Sequence, residues 1–109
     1  MVDQAIITSA RQYLRRVQEA GIPVRFGVLF GSQVAGDAHE WSDIDLLVVS
    51  PLYDAGRSYE TVGQLWRIAH DSDTRLEPIA CGTRQWVEDN YTPIFEIART
   101  KGIIIEPAA

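Results

Sequence analysis

Leu29-Phe30-Gly31-Ser32, followed after a polar loop by Ser42-Asp43-Ile44-Asp45-Leu46-Leu47-Val48, is the segment on which the reading of this chain turns. Val24, Phe26, Val28 and Phe30 alternate with Arg25, Gly27 and Leu29, which predicts a strand whose second face turns apolar toward its C-terminal end, and hence a central strand. Ile44 to Val49 is an unbroken run of Leu and β-branched residues, apart from Asp45, bounded by Asp43 and by Ser50-Pro51, as expected of a short strand covered on both faces. Gly31 to Trp41 is rich in Gly and polar residues, with room for a helical turn over Ser32 to Ala35.

Chemistry enters at the two junctions. Asp43 and Asp45 are two apart at the head of a strand, and a period of two turns both side chains to one face. Two adjacent ionised carboxylates repel unless a cation sits between them, and hard oxygen ligands suit Mg²⁺, with phosphate and water filling its octahedron. The plainer reading of the pair is turn capping at a strand start. At Gly31-Ser32 the missing Cβ would let the backbone approach a phosphate and the hydroxyl would add a donor. The plainer reading there is an ordinary strand-ending turn.

Outward from this segment, Ile6, Ala10, Tyr13, Leu14 and Val17 recur at three- and four-residue steps and predict a helix from Asp3 to Ala20, ended by Gly21 and Pro23. Val62, Leu65, Trp66 and Ala69 set a second helix between Ser58 and His70, followed by a polar turn over Asp71 to Thr74. Arg75 to Cys81 reads as a third strand, which Pro78 confines to an edge or a bulge. Thr83 is placed to cap a short helix through Asp89, and Thr92-Pro93 to start another with Ile94, Ile97 and Ala98 inward. Gly102 suits the left-handed position after that helix, and Ile103 to Ile105 a last strand. The pattern is a small mixed sheet flanked by helices, in the α/β (α+β) class.

With 109 residues and 46% hydrophobic content, residues 1–109 read as a single domain with one modest core. Ten basic against fifteen acidic residues give a formal charge of -5, which disfavours direct binding to nucleic acid. The lone Cys81 cannot make an internal disulfide, and Asp3, Arg11, Arg15 and Arg16 interrupt any leader-like apolar run, which points to the cytoplasm. No apolar stretch approaches the roughly 20 residues needed to cross a bilayer, so no membrane association is expected.

Taken together, Leu29-Phe30-Gly31-Ser32, Gly36 four residues after the Ser, and Ser42-Asp43-Ile44-Asp45 opening the next strand resemble the minimal nucleotidyltransferase branch of the DNA polymerase β-like superfamily. The motif spans about a fifth of the chain, and the order of strands and helices fits the family's domain along almost its full length. The resemblance implies the nucleotidyltransferase fold and transfer of a nucleoside monophosphate, AMP from ATP, to a hydroxyl. It implies that Gly31 and Ser32 hold the β- and γ-phosphates and that Asp43 and Asp45 ligate Mg²⁺. It also implies a third carboxylate on a neighbouring strand, which completes the catalytic metal site and can take the acceptor's proton. Glu77 is the candidate, since its strand can turn it to the face of the Asp pair; the plainer reading is a solvent-facing Glu paired with Arg75 or Arg84. One departure counts against activity. Many family members carry Arg between the Ser and the next Gly, where this chain has Gln33, Val34 and Ala35, leaving Arg25, Arg57, Arg67 or Arg75 to substitute.

By the same resemblance, proteins of this branch are often antitoxins paired with a HEPN-domain RNase toxin, and some transfer AMP to a toxin tyrosine. A chain of this size has no evident second wall for an acceptor, which a homo-oligomer or a docked partner protein would supply. An inactive antitoxin acting by contact is the alternative, and transfer to a small molecule such as an aminoglycoside is a third. Isolated residues add nothing to this. Trp41 is expected to anchor its loop, His39 to be solvated without a zinc partner, His70 to favour a helix end, Cys81 to be buried and inert, and Trp66 and Trp86 to lie in core or interface.

Overall fold

The computed structural model describes residues 2–39 and 41–109. Helix α1 (Gln4–Glu19) starts where the Asp3 carboxylate accepts from the Ala5 amide, and it buries Ile6, Ala10, Tyr13, Leu14 and Val17, the predicted stripe. Strand β1 (Phe26–Phe30) leads into a single helical turn, α2 (Ser32–Ala35), and a polar loop returns the chain to β2 (Ile44–Val49). A 3₁₀ turn at Pro51–Ala55 precedes α3 (Tyr59–Ser72), which opens with a reciprocal Ser58–Thr61 capping box. Then follow β3 (Leu76–Cys81), α4 (Thr83–Glu88), α5 (Pro93–Lys101) and β4 (Ile103–Ile105).

The four strands form one mixed sheet in the order β3-β2-β1-β4. β1 runs antiparallel to both β2 and β4, while β2 and β3 are parallel, their crossover carried by α3. β1 is internal, as its two apolar faces require. β3 is an edge strand, where Pro78 removes no needed donor.

Alternation along the strands splits the core in two. Leu29, Ile44, Leu46, Val48, Leu76 and Ala80 pack with α1 and α3 on one face, and Val28, Phe30, Leu47, Val49 and Cys81 pack with Phe95 and Ala98 of α5 on the other. Arg99 holds α5 against α4, its guanidinium 5.9 Å from the Trp86 ring centre while it donates to the Trp86 and Asp89 carbonyls.

Several local expectations are corrected. α5 turns Phe95 and Ala98 inward and leaves Ile94 and Ile97 exposed, because four apolar residues at 94, 95, 97 and 98 allow two helical phases and the sheet selects one. Gly102 is extended, with φ -81°; it is needed because a Cβ there would meet the Ala98 carbonyl and the Val28 side chain. The cap of α4 is Gly82, and the Thr83 hydroxyl instead donates to the Asp54 carboxylate, tying α4 to the 3₁₀ turn. Trp41 is 77% exposed and anchors nothing among the described residues, and Trp66 lies on the outer side of α3, with Ile68 taking the expected inward place. α3 also runs on through Asp71 and Ser72, which the sequence reading assigned to a turn.

Candidate active site

Asp45 lies on the face of β2 that carries Leu47 and Val49, and in the ladder its Cα partners are Phe30 on one side and Glu77 on the other. The row Phe30-Asp45-Glu77 thus crosses three strands at one end of the sheet, and Gly31-Ser32 follow directly from it. Gly31 has φ +80°, and a Cβ built on it would strike Asp45 Oδ2 and lie 3.2 Å from Asp45 Cγ. The small-residue corner and the acidic strand therefore meet, in a contact that only glycine allows.

The three carboxyls feel one another. Asp45 is raised above the ordinary carboxylate range by burial and by the Asp43 charge, partly offset by hydrogen bonding with Glu77. Glu77 is raised by burial, then by the Asp43 charge and by Asp45, with which it is placed to share a proton. Burial is the first cause of both shifts, and at Glu77 the neighbouring carboxylates add to it; a divalent cation bound beside them would relieve that repulsion. Among the described residues no three His, Cys, Asp or Glu side chains are closed up as a ready metal cage. The donor set fits Mg²⁺ all the same, since that ion takes one or two carboxylates and fills its remaining positions with phosphate oxygens and water. Asp43, Asp45 and Glu77 are the candidates the sequence reading named for that role, and the ladder pairs Asp45 with Glu77.

Gln33 has a structural task. Its side chain is buried and its amide nitrogen donates to the carbonyls of Ser42 and Asp43, at 3.3 and 3.2 Å, pinning α2 to the entrance of β2. At the start of β3, the Asp73 carboxylate accepts from Arg75 Nη2 at 2.8 Å, from Arg75 Nε and from the Arg75 amide, and the Ser9 hydroxyl of α1 donates to it as well. This braces the residues that precede Glu77, and Arg75, committed to Asp73, is not a partner of Glu77.

The cations proposed from sequence lie elsewhere. Arg25 precedes the far end of β1, Arg57 donates to the Ala80 carbonyl toward the far end of β3, Arg67 is on the exposed side of α3, and Arg75 lines a cleft with Asp3, Ile6 and His39. Among the described residues, the cation that lines a cavity with Gly31 and Ser32 is Lys101. It lines a cavity of about 430 Å³ together with Gly31, Ser32, Val34, Ala35, Asp37 and Ile97. Sequence reasoning passed over Lys101; the available clue was the predicted last strand, whose pairing with β1 sets the end of α5 beside the corner. Cys81 is buried, as expected, and burial pushes its thiol up to about 11.

Comparison with known proteins bears on the fold and the family. The Nucleotidyltransferase domain family matches residues 10–91. No curated relative matches the chain. Among solved structures, a protein from Sulfolobus solfataricus described as a candidate nucleotidyltransferase superposes with a TM-score of 0.64 at 15% identity, covering 92% of this chain and 78% of that one. A second, described as a toxin-antitoxin with AMP-PNP, gives a TM-score of 0.59 at 19% identity, covering 90% of this chain and 73% of that one. Among the described residues no helix is long and apolar enough to cross a membrane. The mixed sheet, the Gly-Ser corner that abuts an acidic strand, and the family match over most of the chain together establish that this protein belongs to the nucleotidyltransferase domain family.

Proposed function

We propose that the chain transfers AMP from ATP, with Mg²⁺, to a hydroxyl on a partner protein, as the antitoxin of a toxin-antitoxin pair whose toxin is a HEPN-domain RNase. The observation that carries the reading is the meeting of Gly31 with Asp45, and of Asp45 with Glu77, at one end of the sheet. In this reading Gly31 and Ser32 receive the β- and γ-phosphates, which aims the α-phosphorus at the carboxylates. The acceptor oxygen bonds to that phosphorus, the bond to the bridging oxygen of the β-phosphate breaks, and pyrophosphate leaves. The hydroxyl proton passes to a carboxylate oxygen of Glu77. Bound Mg²⁺ supplies charge neutralisation at the α-phosphate and on departing pyrophosphate.

The partner follows from the openness of the site. Glu77 is on an edge strand, and among the described residues no element continues the sheet beyond it. A macromolecular acceptor can reach it from that side. The toxin-antitoxin description of one structural neighbour, and the AMP-PNP named with it, accord with such an assignment.

A second reading, neutralisation by contact without transfer, has one observation in its favour: α2 carries no basic side chain, and Gln33 is committed to backbone carbonyls. Incubating the protein with ATP labelled at the α-phosphate, Mg²⁺ and the product of the adjacent gene separates the two. Label on the partner, lost in Asp45→Asn, is the expected result. A stable complex that binds ATP and never acquires label would replace the enzyme by the contact antitoxin.

A further inference from the structure

The acidic end of the sheet poses an electrostatic problem. A triphosphate laid along Gly31-Ser32 brings several negative charges beside Asp43, Asp45 and Glu77, on a chain whose formal charge is already -5. α2, the element nearest the phosphates in the proposed function, offers only Gln33, Val34 and Ala35. Arg75, which precedes the right end of β3, is held by Asp73. Arg25 and Arg57 are at the opposite end of the sheet.

Lys101 is the exception. It is the last residue of α5, and the pairing of Leu29 with Ile103 brings the turn between α5 and β4 alongside the end of β1. Its cavity is continuous with Gly31 and Ser32, and the short side chains of Val34 and Ala35 on the α2 side leave that space open. Among the described residues Lys101 forms no ion pair, although Asp37 borders the same cavity. α5 is a fixed support for it, since Phe95 and Ala98 are buried and Arg99 is tied to α4.

We propose that Lys101 is the phosphate-binding cation of this site: its ammonium contacts the terminal phosphates of a nucleoside triphosphate laid along Gly31-Ser32 and makes the site select triphosphates over monophosphates. Lys101 is exposed, so its ammonium is free to turn toward a phosphate laid along the corner, with Ile97, Val34 and Ala35 flanking the space between. Asp37, on the same cavity, opposes Lys101 and limits affinity. The cation lies beyond residues 10–91, the part of the chain shared with the family, and is supplied by the helix that precedes the last strand.

The inference rests on the proposed nucleotide site, and the experiment keeps the two apart. ATP, AMP and inorganic triphosphate, each with Mg²⁺, are titrated calorimetrically into wild type, Lys101→Ala, Lys101→Arg and Asp37→Asn, with thermal melts to verify folding. Lys101→Ala is expected to weaken ATP and inorganic triphosphate by about tenfold or more, the scale of a charge-assisted hydrogen bond. AMP binding should change less than about twofold, since AMP lacks the phosphates that Lys101 contacts. Lys101→Arg should restore most of the ATP affinity, and Asp37→Asn should raise it. Equal losses for ATP and AMP, or no loss for either, would overturn the role of Lys101 and leave the nucleotide site standing. Wild type that binds none of the three ligands would remove the proposed function and this inference together.

Discussion

Asp45 and Glu77 face each other across the parallel pair β2 and β3, Cα partners in the ladder, and each is raised above the ordinary carboxylate range. The arrangement is unfavourable to the fold by itself. A carboxyl whose folded pKa exceeds its unfolded one contributes stability that is present at low pH and lost as pH rises through the folded value.

Glu77→Gln removes one charge from this cluster. At neutral pH and without Mg²⁺ the variant is expected to melt at a higher temperature than wild type, and the gap should close as the pH is lowered into the carboxylate range. With Mg²⁺, ATP and the partner, transfer should fall by about 10²–10⁴-fold, the usual effect of losing a general base, while ATP binding is largely kept. Unchanged turnover would take Glu77 out of the site, and an unchanged melt at neutral pH would refute the strain.

Gly31→Ala and Gly36→Ala form a paired test. Both positions have positive φ, +80° and +87°, so each substitution should cost about 1–2 kcal/mol in backbone strain. Only at Gly31 would the new methyl strike a carboxylate, that of Asp45; at Gly36 nothing lies within 4 Å. Denaturant melts should show both variants destabilised, and Mg²⁺-ATP titration should show affinity lost in Gly31→Ala alone. Equal affinities would mean that the Gly31–Asp45 contact has no bearing on ligand binding.

Asp73 is held below the ordinary carboxylate range, first by its hydrogen bond from the Arg75 side chain. Its contribution to stability is therefore full above the unfolded value of about 3.9 and is lost as pH falls through the lowered folded value. Asp73→Asn should cost about 1–3 kcal/mol at pH 7 by denaturant titration. The difference from wild type should shrink in acid; a cost independent of pH would show that the ion pair with Arg75 is not its source.

Tyr13 and Tyr53 predict opposite outcomes for the same deletion. The Tyr13 hydroxyl donates to the Leu65 carbonyl at 2.9 Å, so Tyr13→Phe should cost about 1 kcal/mol. The Tyr53 hydroxyl is buried without a partner among the described residues, and burial pushes it up to about 12, so Tyr53→Phe should be neutral or stabilising by about 1 kcal/mol. Thermal melts of the two variants decide it, and a large loss in Tyr53→Phe would reveal a partner for that oxygen.

Much of the fold was legible because strongly patterned segments have one solution. Ile44 to Val49 read as an interior strand, Ile6 to Val17 as one helical face, and Pro78 in an apolar run as an edge or a bulge, of which the sheet takes the edge. The pairing of Asp45 with Glu77 was legible only as a possibility, because alternation along Arg75 to Cys81 could turn Glu77 to the face of the Asp pair while the register of β2 and β3 was not given. Legibility ended where long-range packing chooses among local options. The phase of α5 depends on the sheet it covers, and the exposure of Trp41 on the absence of anything opposite it among the described residues. Lys101 was hidden because its place is set by the pairing of β4 with β1, a contact that spans most of the chain.

The buried amide of Gln33 bridges α2 and the entrance of β2 directly, so the distance between the glycine corner and the carboxylates is set by two hydrogen bonds and the β1–β2 ladder. Ala38 and Trp41 are exposed and take no part in that spacing, so a lineage could change them to recognise a different acceptor with the reactive geometry left intact.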